Sequence, residues 1–165
     1  MSRIFLIMLV IFSLVPVLAR AQGAAQALAD KSDQLIVFYD ETGAPIARFQ
    51  AAFGRGHGPK IREGDMRTPE GDYWLMPARV SDDWHYFLAI DYPNANDLVR
   101  ARRAGLPMDQ LGGRIGLHGT GDGFVHKLRQ NFGENWTLGC IAVDNAAIQK
   151  AREMVTHPIP IRIQP

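Results

Sequence analysis

Residues 135–145 read NWTLGCIAVDN, and Cys140 at the centre of that stretch is the only cysteine in 165 residues. A glycine precedes the thiol, a short apolar run (Ile141, Ala142, Val143) follows it, and Asp144 or Asn145 is placed to cap a helix. That helix is predicted to run to about Thr156, with Ile148, Ala151 and Val155 on one face. A thiol this close to a helix N-terminus feels its positive end, and a neighbouring imidazole would lower the thiol pKa further. Glycine beside a nucleophile lets substrate approach the backbone, and consecutive N–H groups there can face a developing oxyanion. The same residues are equally compatible with a small buried hydrophobe, since free cysteine often packs in cores.

The N-terminus bears on which reading applies. Arg3 precedes an apolar run over residues 4–18, and Ala19-Arg20-Ala21 has the small-x-small form of a cleavage site. The run is short for a membrane-spanning helix, and Pro16 lies near its end. Residues 1–21 are therefore expected to be a cleaved export signal, with no stable membrane anchor afterwards. Loss of Arg3 and Arg20 takes the basic residues from 18 to 16 against 17 acids. That balance gives no reason to expect nucleic acid or an anionic membrane as partner. About 144 residues remain, enough for one domain with a sizeable core. Outside the cytoplasm a single cysteine has no internal disulfide partner, so Cys140 is an inert thiol, an intermolecular link or a nucleophile.

Residues 22–33 (QGAAQALADKSD) are small and polar and are expected to form a flexible lead-in, with the domain spanning 34–165. QLIVFYD and IARFQAAFG flank a turn-like ETGAP and predict a hairpin. The glycine- and proline-rich stretch 55–71 predicts a long loop, and such loops in compact domains are often functional. DYWLMPARV and WHYFLAIDY predict two more strands, and YPNANDLVRARRAG a helix capped by Asn94 or Asn96. RIGLHG predicts a short strand, whereas GDGFVHKLRQNFGEN predicts a loop holding at most a helical turn. Ile159, Ile161 and Ile163 alternate as a half-buried final strand requires.

His118 ends RIGLHG between Gly116 and Gly119, which suits a base that must be both positioned and reachable. A rival grouping is His118, Asp122 and His126, spaced by four as helical metal ligands would be. Gly119, Gly121 and Gly123 fall among them and argue against that helix. His57, His85 and His157 have no partner that the sequence identifies.

Three stretches together resemble the L,D-transpeptidase catalytic domain (YkuD-like) family. GPKIREGDMRTPEGDYWL is similar to its GD-x-x-TPEG segment. FLAIDYPNANDLVRARRAG followed by GGRIGLHGTG is similar to its YPN-helix-IHG region, and NWTLGCIAVDN to its cysteine motif in a W-T-x-G-C-I-A form. The commoner motif has histidine where Leu138 stands, and arginine or asparagine where Ile141-Ala142-Val143 follow. The resemblance implies a fold that is mainly β with small helical elements, a β-sandwich of that domain type. It implies Cys140 as nucleophile, His118 as base, Gly119 as the carbonyl orienting the imidazole, and the Gly139 and Cys140 amides as the oxyanion site. Thr137 falls at the family's Ser/Thr position. Arg67, Thr68, Tyr92 and Trp136 become candidate substrate-binding residues. The implied activity is transfer of a peptidoglycan stem tetrapeptide through a cysteine thioester at meso-diaminopimelate, in the periplasm, with no metal or organic cofactor. An outer-membrane lipoprotein is a further implied partner. A hydrolase on the same scaffold and a catalytically silent wall-binding module are the alternative readings.

Overall fold

Ile159, Ile161 and Ile163 alternate with Pro160, Arg162 and Gln164, and this period-two pattern builds the central strand of a computed structural model. The structure describes residues 23–131 and 133–165, so the expected export signal lies outside the described residues. In chain order the strands are β1 (Gln26–Asp30), β2 (Leu35–Tyr39), β3 (Pro45–Gln50), β4 (Gly71–Ser81), β5 (His85–Ile90), β6 (Gly116–His118), β7 (Ile141–Ala142) and β8 (Ile159–Gln164). They form one sheet ordered β3-β2-β1-β8-β4-β5-β6-β7. Strand β8 runs parallel to β1, with Ala27 opposite Ile161, and antiparallel to β4, with Tyr73 opposite Ile161.

The lead-in expected over residues 22–33 is thus corrected: its middle, Gln26–Asp30, is a strand inside the sheet. Ala24, Ala27 and Ala29 are buried, and Ala24 N–H donates to the Met154 carbonyl at 3.0 Å. Their small side chains read as linker composition. In the fold all three belong to the hydrophobic core, with Ala24 against the C-terminal end of the last helix.

The predicted hairpin is β2–β3, antiparallel with Ile36 opposite Phe49. Its turn is tied by Asp40, whose carboxylate accepts from Thr42 N–H at 2.8 Å and Ala44 N–H at 3.0 Å. Beyond β3 the chain crosses to the other end of the sheet, where Ala52 bridges Ala142 and Gly54 bridges Thr137. That crossing curls the sheet so that its two ends meet beside β7.

Helix α1 (Ala95–Arg103) has Asn94 as N-cap in a capping box with Asp97. Helix α3 (Asn145–Met154) is capped by Asp144, which accepts from Ala147 N–H at 2.6 Å. Ala147, Ile148 and Ala151 are buried on the face it presents to the core. Between them, α2 (Phe124–Asn131) spans eight residues where the sequence predicts only a helical turn. The glycines that argue against a helix lie just upstream of it, and Gly123 supplies the carbonyl that Lys127 N–H meets at 3.2 Å.

Burial, not surface charge, holds this arrangement. Each fully buried isoleucine or leucine contributes about 1.5–3 kcal/mol, and Ile36, Leu75, Leu88, Leu117, Ile148 and Ile161 are all at most 1% exposed. The bidentate Arg162–Asp72 pair is about two-thirds exposed on both sides, and such pairs give about 1 kcal/mol or less.

Candidate active site

Twenty-two positions separate His118 from Cys140 in the chain, and the sheet removes that separation. Strands β6 and β7 are parallel neighbours, with Leu117 opposite Ile141 and His118 opposite Ala142. Val143 N–H donates to the His118 carbonyl at 2.9 Å, extending the ladder. Cys140 is the residue immediately before β7. Both side chains line one cleft of about 940 Å³, together with Lys60, Trp84, His126 and Trp136.

His118 is only 4% exposed. Its Nδ1 lies 2.7 Å from the Gly119 carbonyl oxygen. A carbonyl can only accept, so Nδ1 carries the proton and Nε2 keeps its lone pair. The ring packs against Trp84 with centroids 4.5 Å apart, is stacked on Phe87 at 6.3 Å, and meets Trp136 edge-on at 6.0 Å. Burial pushes its pKa down to about 4, the Gly119 hydrogen bond opposes that shift, and the charge of His126 adds to it. At neutral pH the imidazole is uncharged and free to accept a proton.

The thiol is corrected in the opposite direction from expectation. Burial pushes the Cys140 pKa up, and the nearby Gly116 N–H and Lys60 ammonium only partly oppose this. The expected lowering fails for two physical reasons. His118 is neutral, and the positive end of α3 is taken up by the Asp144 carboxylate that caps it. In this resting state the Cys140 Sγ–H faces the Arg114 carbonyl at 3.7 Å. Arg114 has a left-handed φ of 56°, which turns that carbonyl toward the sulfur. No hydrogen bond joins Sγ to His118 among the described residues, so proton transfer requires the thiol to turn from one acceptor to the other.

Thr137 shapes the turn that carries Cys140. Its Oγ1 donates to the Cys140 carbonyl at 2.7 Å and accepts from Gly139 N–H at 3.1 Å. Of the two amides expected at the oxyanion site, Gly139 N–H is therefore already engaged, and only Cys140 N–H has no acceptor among the described residues. Gly139 is required for another reason. Its φ is 137°, and a Cβ there would lie 2.8 Å from the Arg67 carbonyl oxygen.

Three of the four candidate substrate-binding residues are not among those lining the cleft. Thr68 is fully buried, and its Oγ1 accepts from Gly54 N–H at 2.8 Å. Tyr92 is a core residue, 6% exposed, whose hydroxyl donates to the Leu111 carbonyl at 3.3 Å. The Arg67 guanidinium donates to the Pro59 carbonyl at 3.3 Å and is not among the cleft-lining residues. Arg67 and Thr68 tie the long loop to itself and to its base, and Tyr92 anchors the segment at Leu111. Trp136 does line the cleft, stacked on His126 at 4.5 Å.

The long loop is organised by Asp65. Its carboxylate accepts from Ile61 N–H at 2.6 Å, Arg62 N–H and Arg67 N–H at 3.0 Å, and Lys60 Nζ at 2.9 Å. Burial pushes the Asp65 carboxyl up, yet these donors more than offset it and leave the pKa at about 2. Lys60 is thereby fixed where its charge reaches the thiol.

The rival grouping does not converge. Asp122 faces His85 Nε2 at 3.3 Å and Lys127 Nζ at 3.6 Å, while His126 stacks on Trp136. Among the described residues no three His, Cys, Asp or Glu side chains are grouped to hold a metal ion. His85, unpartnered in sequence, is joined to Asp122 and Asn145; His57 and His157 are exposed. Trp84, Lys60, Arg114 and Asn145 are the site residues that sequence reasoning missed. The first sits in a turn ahead of a strand and the second in a charged loop, and neither position carries a local signal.

A family model described as the L,D-transpeptidase catalytic domain matches residues 24–163. YafK of Escherichia coli strain K12 is 29% identical over 106 residues, covering 63% of this chain and 34% of its own length. The chain therefore spans about a third of the length of the curated relatives it matches. Among solved structures, the helical cell shape determining protein Pgp2 from Campylobacter jejuni is similar with a TM-score of 0.67 at 26% identity, over 86% of this chain and 47% of that one. An L,D-transpeptidase from Mycobacterium smegmatis shares the fold, with a TM-score of 0.57 at 15% identity, over 87% of this chain and 60% of that one.

Proposed function

We propose, from the premise that this chain belongs to the L,D-transpeptidase catalytic domain family, that it is a cysteine acyltransferase acting on peptidoglycan stem peptides. The observation that carries this reading is the placement of Cys140 and His118 at one cleft from neighbouring parallel strands, with the imidazole neutral and Nε2 unprotonated. Trp136 and His126 form a wall of the same cleft and are the surfaces against which a peptide would lie.

The reaction starts from a thiol and an imidazole, both uncharged. Sγ attacks the carbonyl carbon of meso-diaminopimelate in a stem tetrapeptide as Nε2 of His118 takes the thiol proton. The oxyanion forms against Cys140 N–H. Collapse breaks the bond to D-alanine, whose nitrogen receives the proton from His118, and a thioester remains on Cys140. An amine of a second stem then attacks the thioester, His118 accepts its proton, and the thiolate leaves and is reprotonated. The product is a 3-3 cross-link. A lipoprotein amine enters by the same step, and water in its place gives a carboxypeptidase. The run over residues 4–18 supports a periplasmic site of action.

Because the base has a pKa of about 4 and the thiol is raised, acylation depends little on pH near neutrality. His118 is protonated and unable to accept below that value, so the rate climbs as pH rises through it. Stopped measurements of covalent capture by a carbapenem should be flat from about pH 5 to about pH 8, one unit clear of the base. A main inflection between about pH 6 and pH 7, where unperturbed imidazole titrates, would contradict the neutral-base account.

The function itself is tested with purified tetrapeptide muropeptides and chromatography of the products. A new 3-3 dimer with released D-alanine is the expected result. Tripeptide alone assigns the chain to the hydrolase class, and unchanged muropeptides overturn the proposal.

A further inference from the structure

Asn145 opens α3 five residues after the thiol, and its side chain reaches the turn that follows His118. Its Oδ1 accepts from Gly121 N–H at 3.1 Å and from Thr120 Oγ1 at 3.2 Å. Its Nδ2 donates to the Gly121 carbonyl at 2.8 Å and faces His85 Nε2 at 3.2 Å. The amide cannot be reversed, because that would set donor against donor and acceptor against acceptor at Gly121. Both backbone polar groups of Gly121 are thus held by one side chain.

The turn is gripped from its other side as well. Gly119 N–H donates to the Trp84 carbonyl at 3.2 Å. A Cβ on Gly119 would lie 2.7 Å from both Asn145 Oδ1 and the Trp84 carbonyl oxygen. Residues 119–121 therefore sit between Asn145 and the turn at Trp84 with no space to relax. The first carbonyl of this turn, that of Gly119, is the acceptor for His118 Nδ1–H.

We propose that Asn145 is a positioning residue for His118: by clamping Gly121 it fixes the Gly119 carbonyl, which holds the imidazole in its Nδ1–H tautomer with Nε2 turned to the cleft. The nucleophile, the strand registered with the base and the clamp then lie within residues 140–145, so one short segment sets both halves of the reactive pair. The catalytic consequence rests on the acyltransferase reading, whereas the tautomer consequence does not.

The test uses the full chain labelled with ¹⁵N-histidine. In the ligand-free protein the His118 ring should show a protonated Nδ1 and an unprotonated Nε2. Asn145→Ala should convert this to a mixture of tautomers. It should also slow carbapenem acylation about ten- to hundredfold, in line with loss of an orienting partner one shell out, with the loss in the maximal rate rather than in the half-saturating concentration. Asn145→Asp keeps the side-chain size but places an oxygen against the Gly121 carbonyl, and it decides the matter if the alanine variant does not fold. Its tautomer signals should shift in the same direction. Wild-type ring signals in either folded variant overturn the proposal. Failure of the wild-type protein to acylate would sink the acyltransferase reading alone, because the ring signals are read without ligand.

Discussion

Cys140→Ala eliminates covalent capture by a carbapenem. The wild-type protein gains one adduct by intact mass, and the variant gains none under the same exposure. Removing a nucleophile from a unit of cooperating groups costs about four to six orders of magnitude in rate, so no partial reaction is expected on the timescale of the experiment. The fold should survive. Cys140 is half-buried, and its side chain is held by weak contacts such as the one to the Arg114 carbonyl at 3.7 Å, so the stability change stays within about 1 kcal/mol. An adduct of the same mass on the variant would place the reactive group elsewhere.

His118→Ala lowers the acylation rate by about two orders of magnitude or more, the usual contribution of a positioned general base. Two effects need to be separated in that variant. The imidazole packs between Trp84 and Phe87, so its loss opens a cavity and lowers the melting temperature. His118→Gln fills much of that space without supplying a base in the neutral range. It should recover most of the melting temperature and none of the rate. Recovery of the rate with glutamine would mean that the ring only fills volume, and an unimpaired alanine variant would remove His118 from the mechanism.

How much of this was legible before the structure differs by element. The terminal strand, the β2–β3 hairpin and helix α3 follow from periodicity and capping residues, because in each the pattern is the local expression of a buried face. Strand β1 was not legible. Its alanines carry little hydrophobic signal, and it becomes an interior strand between β2 and a β8 that lies more than 130 residues later in the chain. At the site, glycine-flanked context made Cys140 and His118 candidates, and the family resemblance supplied their expected roles. Their electrostatics were not, since the direction of each shift is set by burial, for His118 among aromatic rings drawn from distant segments. The same distance explains Thr68 and Tyr92. Their residue types suggest ligand contact, while their surroundings make them internal supports.

The account depends on a thioester forming at Cys140 with the natural donor. The most direct measurement is rapid-quench mass spectrometry of the full chain mixed with a tetrapeptide muropeptide, followed by digestion to locate any added mass. The account predicts a transient gain equal to the donor less D-alanine, confined to the peptide containing Cys140 and discharged by hydroxylamine. Product formation with no such species, or an acyl group found on another residue, would contradict it.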